Sequence, residues 1–146
     1  MSREILSKVE SPEFSYEVIV ADEWIDRNNH VNNARYFDIY ERARGDYMET
    51  VCGVNVADFE AEYGLRAMVA GPFNGTFGGQ LFPTEHLTVF SAAESSSRHI
   101  RFSQRIPRSG QPDNEFHCTV YLVDSNNAIK RIPDSLRQKI TQAGFK

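Results

Sequence analysis

The sequence predicts an α+β fold: an antiparallel sheet wrapped around one long central helix, with a short helix at the C-terminal end. Three observations carry that expectation. Several short segments alternate apolar and polar residues with period two, as half-buried strands require. From Val31 to about Val51 the period lengthens to three and four residues, placing Tyr36, Tyr40, Ala43, Tyr47 and Val51 on one stripe. Turn-rich stretches, "PRSGQPDN" at 107–114 and "DSNN" at 124–127, separate the later strand patterns as hairpins do.

Taken in order, "FSYEVIV" at 14–20 sets Phe14, Tyr16, Val18 and Val20 on one side of a strand. A polar cluster follows, and then the long helix, whose remaining surface carries Arg35, Asp38, Glu41, Arg42, Asp46 and Glu49. Gly53 ends it, and "RGD" at 44–46 falls inside it as helix surface. A short helix is expected over 56–63. "RAMVAGPFNGTF" reads as a strand broken by Gly71, Pro72 and Gly75, which indicates a bulge or an exposed edge. Strands are expected at 86–94, at 99–106 with Ile100, Phe102 and Ile106 on one face, and at 116–123 with Phe116, Cys118, Val120 and Leu122 on one face. These four strands would follow the helix as a meander, and a last helix is expected over 134–143.

A length of 146 residues, 40% hydrophobic and 25% charged, suits one domain spanning 1–146 with its own core. No apolar run approaches the length of a membrane span, so no membrane partner is expected. The net charge of -4 argues against a nucleic-acid partner, which calls for a basic face. "MSREILSKVE" lacks a signal-peptide core, which gives a cytoplasmic expectation, and Cys52 and Cys118, with no CxxC, read as reduced thiols.

The chemistry is concentrated in "DRNNHVNNARY", residues 26–36. Asparagine favours turns and helix N-caps because its side chain bonds nearby backbone amides, and Asn32 or Asn33 before Ala34 fits that role. Capping alone does not require Asp26, Asn28 and His30 at alternate positions. In an extended backbone those three side chains face one spot, just ahead of a helix end whose free N–H groups suit a developing oxyanion. A calcium loop would need glycine at its sixth position and a carboxylate at its twelfth, where Val31 and Phe37 stand. Zinc would need more His or Cys neighbours than His30. No metal and no cofactor are expected, and no GxSxG nucleophile elbow occurs.

The run D-x-N-x-H-V-N-N-A-R-Y followed by "ERARGDY" resembles the hotdog-fold acyl thioesterases, both the 4-hydroxybenzoyl-CoA thioesterase type and the acyl-ACP thioesterases. The resemblance implies a hotdog fold and hydrolysis of an acyl-CoA or acyl carrier protein thioester. It implies Asp26 as nucleophile or general base, Asn28 and His30 as active-site residues, and the backbone amide near Asn33 as the group polarising the thioester carbonyl. It also implies a homodimer or homotetramer with the pocket at the subunit interface. Substrate-binding candidates are Asn32, Tyr36, Gln80 and Arg98, with Arg101, Lys130 and Arg131 as further cations for phosphates or an acidic carrier. One departure is visible: where the plant acyl-ACP enzymes add a glutamate, this chain has Gln80 or Gly79. A dehydratase or hydratase on the same fold, or a non-catalytic thioester binder, remains the alternative.

Overall fold

The computed structural model describes residues 14–70 and 73–143. The opening segment and the Gly71–Pro72 break, both read in the sequence, lie outside the described residues.

Among the described residues, seven strands form one antiparallel sheet. They are β1 (Phe14–Ile19), β2 (Arg66–Val69), β3 (Asn74–Thr76), β4 (His86–Ser95), β5 (Ile100–Ile106), β6 (Asn114–Val123) and β7 (Ile129–Lys130). Helix α1 (Asn33–Cys52) is the long element, α2 (Val56–Tyr63) follows it, and α3 (Asp134–Ala143) closes the described chain. The sheet wraps one face of α1, which is the hotdog arrangement.

Helix α1 forms where the three- and four-residue period places Tyr36, Ile39, Tyr40, Ala43 and Tyr47 on a single buried face. Its start is capped by the Asn32 side chain, which accepts from the Ala34 N–H at 2.9 Å. Gly53 ends it in the left-handed region at φ 71°, and its N–H turns back to the Glu49 and Met48 carbonyls. Lys139 of α3 adds a charge-assisted bond to the Cys52 carbonyl at 3.0 Å. The buried stripe packs on Leu87 and Val89 of β4, Phe102 and Ile106 of β5, and Phe116 and Cys118 of β6.

The four strands after the helix do not form a simple meander. β4, β5 and β6 do, but β1 takes the free edge of β4, register Tyr16 opposite Val89. β2 and β3 instead lie end to end along the outer edge of β6. The physical reason is that α1 carries the chain across the sheet, so the next strands reach the edge that β1 left open. The stretch read as one broken strand is therefore two short ones. β7 was not expected; its two residues extend the sheet beside the end of β6.

Both β2 and β3 are exposed throughout, and Met68, Val69, Phe73 and Phe77 show apolar surface there. An outer edge with that composition stands out, because unpaired edges are usually short, charged or covered.

Candidate active site

Residues 25–31 form a tight hairpin, not the extended run that alternate-residue reasoning assumed. Ile25 and Val31 make an antiparallel bridge, and Asp26 N–H donates to the His30 carbonyl at 2.9 Å. Asn29 N–H closes the turn on the Asp26 carbonyl, with Asn29 itself left-handed at φ 65°. Asparagine tolerates that conformation better than most residues, which explains one letter of the polar cluster. The Asp26 carboxylate accepts from the Asn28 N–H at 2.8 Å, an Asx turn that fixes its orientation. Asn28 is thus joined to Asp26 through its backbone, while its side chain is exposed.

The hairpin is tied to the helix start. Asn32 N–H donates to the Trp24 carbonyl, and buried Trp24 anchors the arm in the core. Asp26 therefore stands two residues from that tie, about 7 Å by strand rise. Asn32 satisfies the Ala34 amide with its side chain and the Arg35 amide with its carbonyl. The Asn33 N–H has no partner among the described residues. A helix-start amide of that kind is the feature that can bind a developing oxyanion.

A second wall comes from 78–85. Val31 N–H donates to the Leu81 carbonyl, so Gln80, exposed, runs alongside the hairpin. This segment is glycine-rich because it lies hard against the start of β6. A Cβ on Gly78 would sit 2.3 Å from the Pro112 carbonyl oxygen. Buried Asn114 completes the tie, accepting from Gly78 N–H at 2.6 Å and donating to the Gly79 carbonyl at 2.7 Å. His30 packs edge-on against Phe82 with centroids 5.3 Å apart.

Electrostatics here are set by a pair that the sequence reading missed. Arg108 and Glu85 meet at 2.7 Å, with the Arg108 side chain only 12% exposed. Tyr36 bonds the Leu81 backbone; burial pushes its hydroxyl up, and the Arg108 guanidinium partly opposes that shift. Burial of Arg108 under Gly79 was not legible, because only the fold brings residues 79 and 108 together.

Among the described residues, two cavities flank α1. One, of about 330 Å³, is lined by Tyr36, Phe37, Tyr40, Phe73, Phe77 and Phe116 together with β3 and Glu115. The other, about 430 Å³, lies further along α1 between Arg44, Met48, Phe59, Phe102 and Val120. Neither is lined by Asp26. Tyr36 links the first cavity to the hairpin wall, since it lines the one and bonds Leu81 of the other.

The structure gathers Asp26, Asn28, His30, Asn32, Asn33, Tyr36 and Gln80 at this end of α1. It does not bring Arg98 there. Arg98 sits in the β4–β5 turn, at the far end of a 10-residue strand, some 30 Å from Glu85 by strand rise. Arg101, Lys130 and Arg131 are near that same distant end, the last two paired with Asp124 and Asp134. Among the described residues no three His, Cys, Asp or Glu side chains gather as a metal site, and no helix is long and apolar enough to cross a membrane.

A sheet wrapped on one long helix is the hotdog fold. The model describing the thioesterase-like superfamily matches residues 20–140, and the chain belongs to that superfamily. No curated protein sequence matches it. Among solved structures it is similar to a hypothetical protein from Thermus thermophilus, at 23% identity and TM-score 0.79, covering 92% of this chain and 99% of that one. It is similar to a 1,4-dihydroxy-2-naphthoyl-CoA thioesterase from Synechocystis, at 11% identity and TM-score 0.78, covering 88% and 96%. A Staphylococcus aureus protein in complex with CoA is similar at 15% identity and TM-score 0.74, covering 90% and 83%. At these identities the likeness is one of fold.

Proposed function

We propose that the protein hydrolyses an acyl thioester, of coenzyme A or of an acyl carrier protein, to a free acid and a thiol. The observation that carries this reading is the Asn33 amide, without a partner among the described residues, at the end of a hairpin whose other arm carries Asp26, its carboxylate held by the Asn28 N–H. The thioester carbonyl oxygen sits on that amide, where negative charge develops as the carbonyl carbon becomes tetrahedral. Asp26 then acts in one of two ways. It attacks the carbonyl carbon, expelling the thiolate and leaving a mixed anhydride that water opens, or it takes a proton from the attacking water. Either route consumes one water and releases the carboxylate, the thiol and a proton, which together make the free acid and thiol.

His30 and Asn28 are assigned as flanking groups. The half-buried His30 ring is braced by Phe82, and Asn28 sets the carboxylate through its backbone. Tyr36 and the aromatic cavity beside it would receive the acyl group. Support for coenzyme A as the thiol carrier comes from the fold-related S. aureus protein with CoA and from the Synechocystis CoA thioesterase. The exposed β2–β3 edge and its apolar side chains support pairing of two copies along that edge.

Thiol release from a panel of acyl-CoAs tests the assignment. Asp26→Asn removes the charge but leaves an oxygen to accept the Asn28 N–H, so the turn persists. The expected loss is about a hundredfold or more in kcat/KM. An Asp26→Asn rate equal to wild type would remove Asp26 from the mechanism. Hydration or dehydration of an acyl-CoA without thiol release would transfer the protein to the dehydratase reading.

A further inference from the structure

Helix α1 carries a cation that the chain holds firmly and leaves partly unused. Arg44 is half-buried, and its Nη1 donates to Gln104 Oε1 at 3.0 Å. Gln104 is 2% exposed, and its amide is fixed from the other side, with Nε2 donating to the Tyr40 carbonyl and to Ser91 Oγ, each at 3.0 Å. The guanidinium also lies over the Phe116 ring, 5.6 Å from its centroid. It is therefore held from two directions. Nε and Nη2 make no bond among the described residues, and neither is sealed in protein. These two nitrogens form one edge of the guanidinium, whose parallel N–H groups match the two oxygens of a carboxylate.

Arg44 lines the cavity of about 430 Å³, together with Met48, Phe59, Leu65, Ile100 and Phe102. That size falls in the range of small-molecule sites, about 300–1,000 Å³. Three other charged side chains line it. Arg66 and Glu60 face each other at 3.8 Å and offset one another. Glu41, a turn before Arg44, is exposed and makes no ion pair with it. Burial pulls the Arg44 guanidinium below its usual value, with Cys118 and Glu41 opposing, yet arginine keeps its charge at neutral pH.

A partly desolvated cation without a counter-ion, beside an apolar hollow, selects an anion with an apolar body. The ion pair gains strength where water is scarce, and the body covers the hydrocarbon walls. Arg44, with Glu41 a turn away, balances a single negative charge, which favours a carboxylate over a phosphate dianion. The place is separate from the hairpin site. Arg44 lies about 16 Å along α1 from Asn33 by helix rise, and Asp26 does not line this cavity.

We propose that this cavity is a second binding site, for a monocarboxylate with an apolar body such as a medium-chain fatty acid. Its carboxylate sits on the Nε–Nη2 edge of Arg44 and its chain lies against Met48, Phe59 and Phe102. Nothing in this recognition calls for a thioester, so it stands apart from hydrolysis at Asp26.

The test titrates the full chain with decanoate and with decanol, equal in chain length and different in charge. Isotope-labelled methionine methyls are followed by NMR, with the Met48 signal assigned by Met48→Leu. Decanoate is expected to shift the Met48 methyl saturably, with a Kd at least tenfold below that of decanol. A Met48 signal that does not move, or equal Kd values for acid and alcohol, would overturn the inference. Arg44→Gln is expected to weaken decanoate at least tenfold and to leave decanol within about twofold. Because that variant leaves Gln104 Oε1 short of a donor, Arg44→Lys is measured beside it. The ammonium keeps the charge but not the paired edge, so decanoate should weaken at least threefold. Decanoate affinity unchanged in either folded variant would overturn the inference, as would tighter binding of decyl phosphate than of decanoate by wild type. If neither variant folds, the wild-type comparison of acid with alcohol at Met48 decides. No thioester is present, so failure to cleave acyl-CoAs leaves this site standing, and a silent Met48 leaves hydrolysis standing.

Discussion

At the scale of single residues, the polar cluster that prompted the functional reading divides into structural and chemical members. Asn32 caps the helix, Asn29 supplies the left-handed turn position, and Asp26 orients itself on the Asn28 amide. The motif was legible; its geometry was not, because a turn and an extended run share the same letters. Gln104 and Arg44 teach a related lesson. Gln104 follows Ile100 and Phe102 at inward strand positions, so parity alone placed it inside. There it donates to the Tyr40 carbonyl and Ser91 and accepts from Arg44, which turns inward from what read as helix surface. Asn32→Ala should cost about 1 kcal/mol in urea unfolding, the usual value of a lost N-cap. Tyr40→Phe should go the other way. Its hydroxyl is buried with no hydrogen-bond partner among the described residues. Deleting it should raise the melting temperature by about 2–4 °C, roughly 1 kcal/mol for a chain of this size, in scanning calorimetry without ligand.

At the scale of elements, periodicity found α1, β1, β5 and β6, since each turns one face inward and shows it in sequence. It could not find β7, whose two residues carry no pattern and which exists through its pairing with β6. The glycine-rich 75–79 stretch read as an irregular edge, and its cause is close approach. Gly78 presses on the Pro112 and Asp113 carbonyls while the segment holds Leu81 against the hairpin. Gly78→Ala should therefore destabilise by about 1–3 kcal/mol, as overpacking against backbone does. It should also impair catalysis beyond the loss of folded protein, because the displaced segment carries the wall of the site. A variant with wild-type stability and activity would show that the segment moves freely.

At the scale of the whole molecule, topology was the least legible feature. Which sheet edge β2 and β3 join depends on α1 carrying the chain across, a nonlocal outcome that no window of sequence contains. The resulting apolar edge predicts that the protein sediments with the mass of two chains, and that Phe77→Glu shifts it toward one; a monomeric wild type would contradict the pairing. The two thiols should also report on integrity. Cys52 and Cys118 are buried, and burial pushes the Cys52 thiol up to about 11 from 9.0, against a partial opposing pull from Lys139. Neither should react with a thiol reagent at pH 8 until the chain unfolds. The unfolded thiol ionises first, so the contribution of Cys52 to stability is intact below pH 9.0 and is lost as pH rises toward about 11. The most direct test of the whole account is a side-by-side measurement of thiol release from acyl-CoAs by wild type and Asp26→Asn. Turnover by the first and a loss of about a hundredfold or more in the second are predicted; equal rates, with both proteins folded, would contradict it.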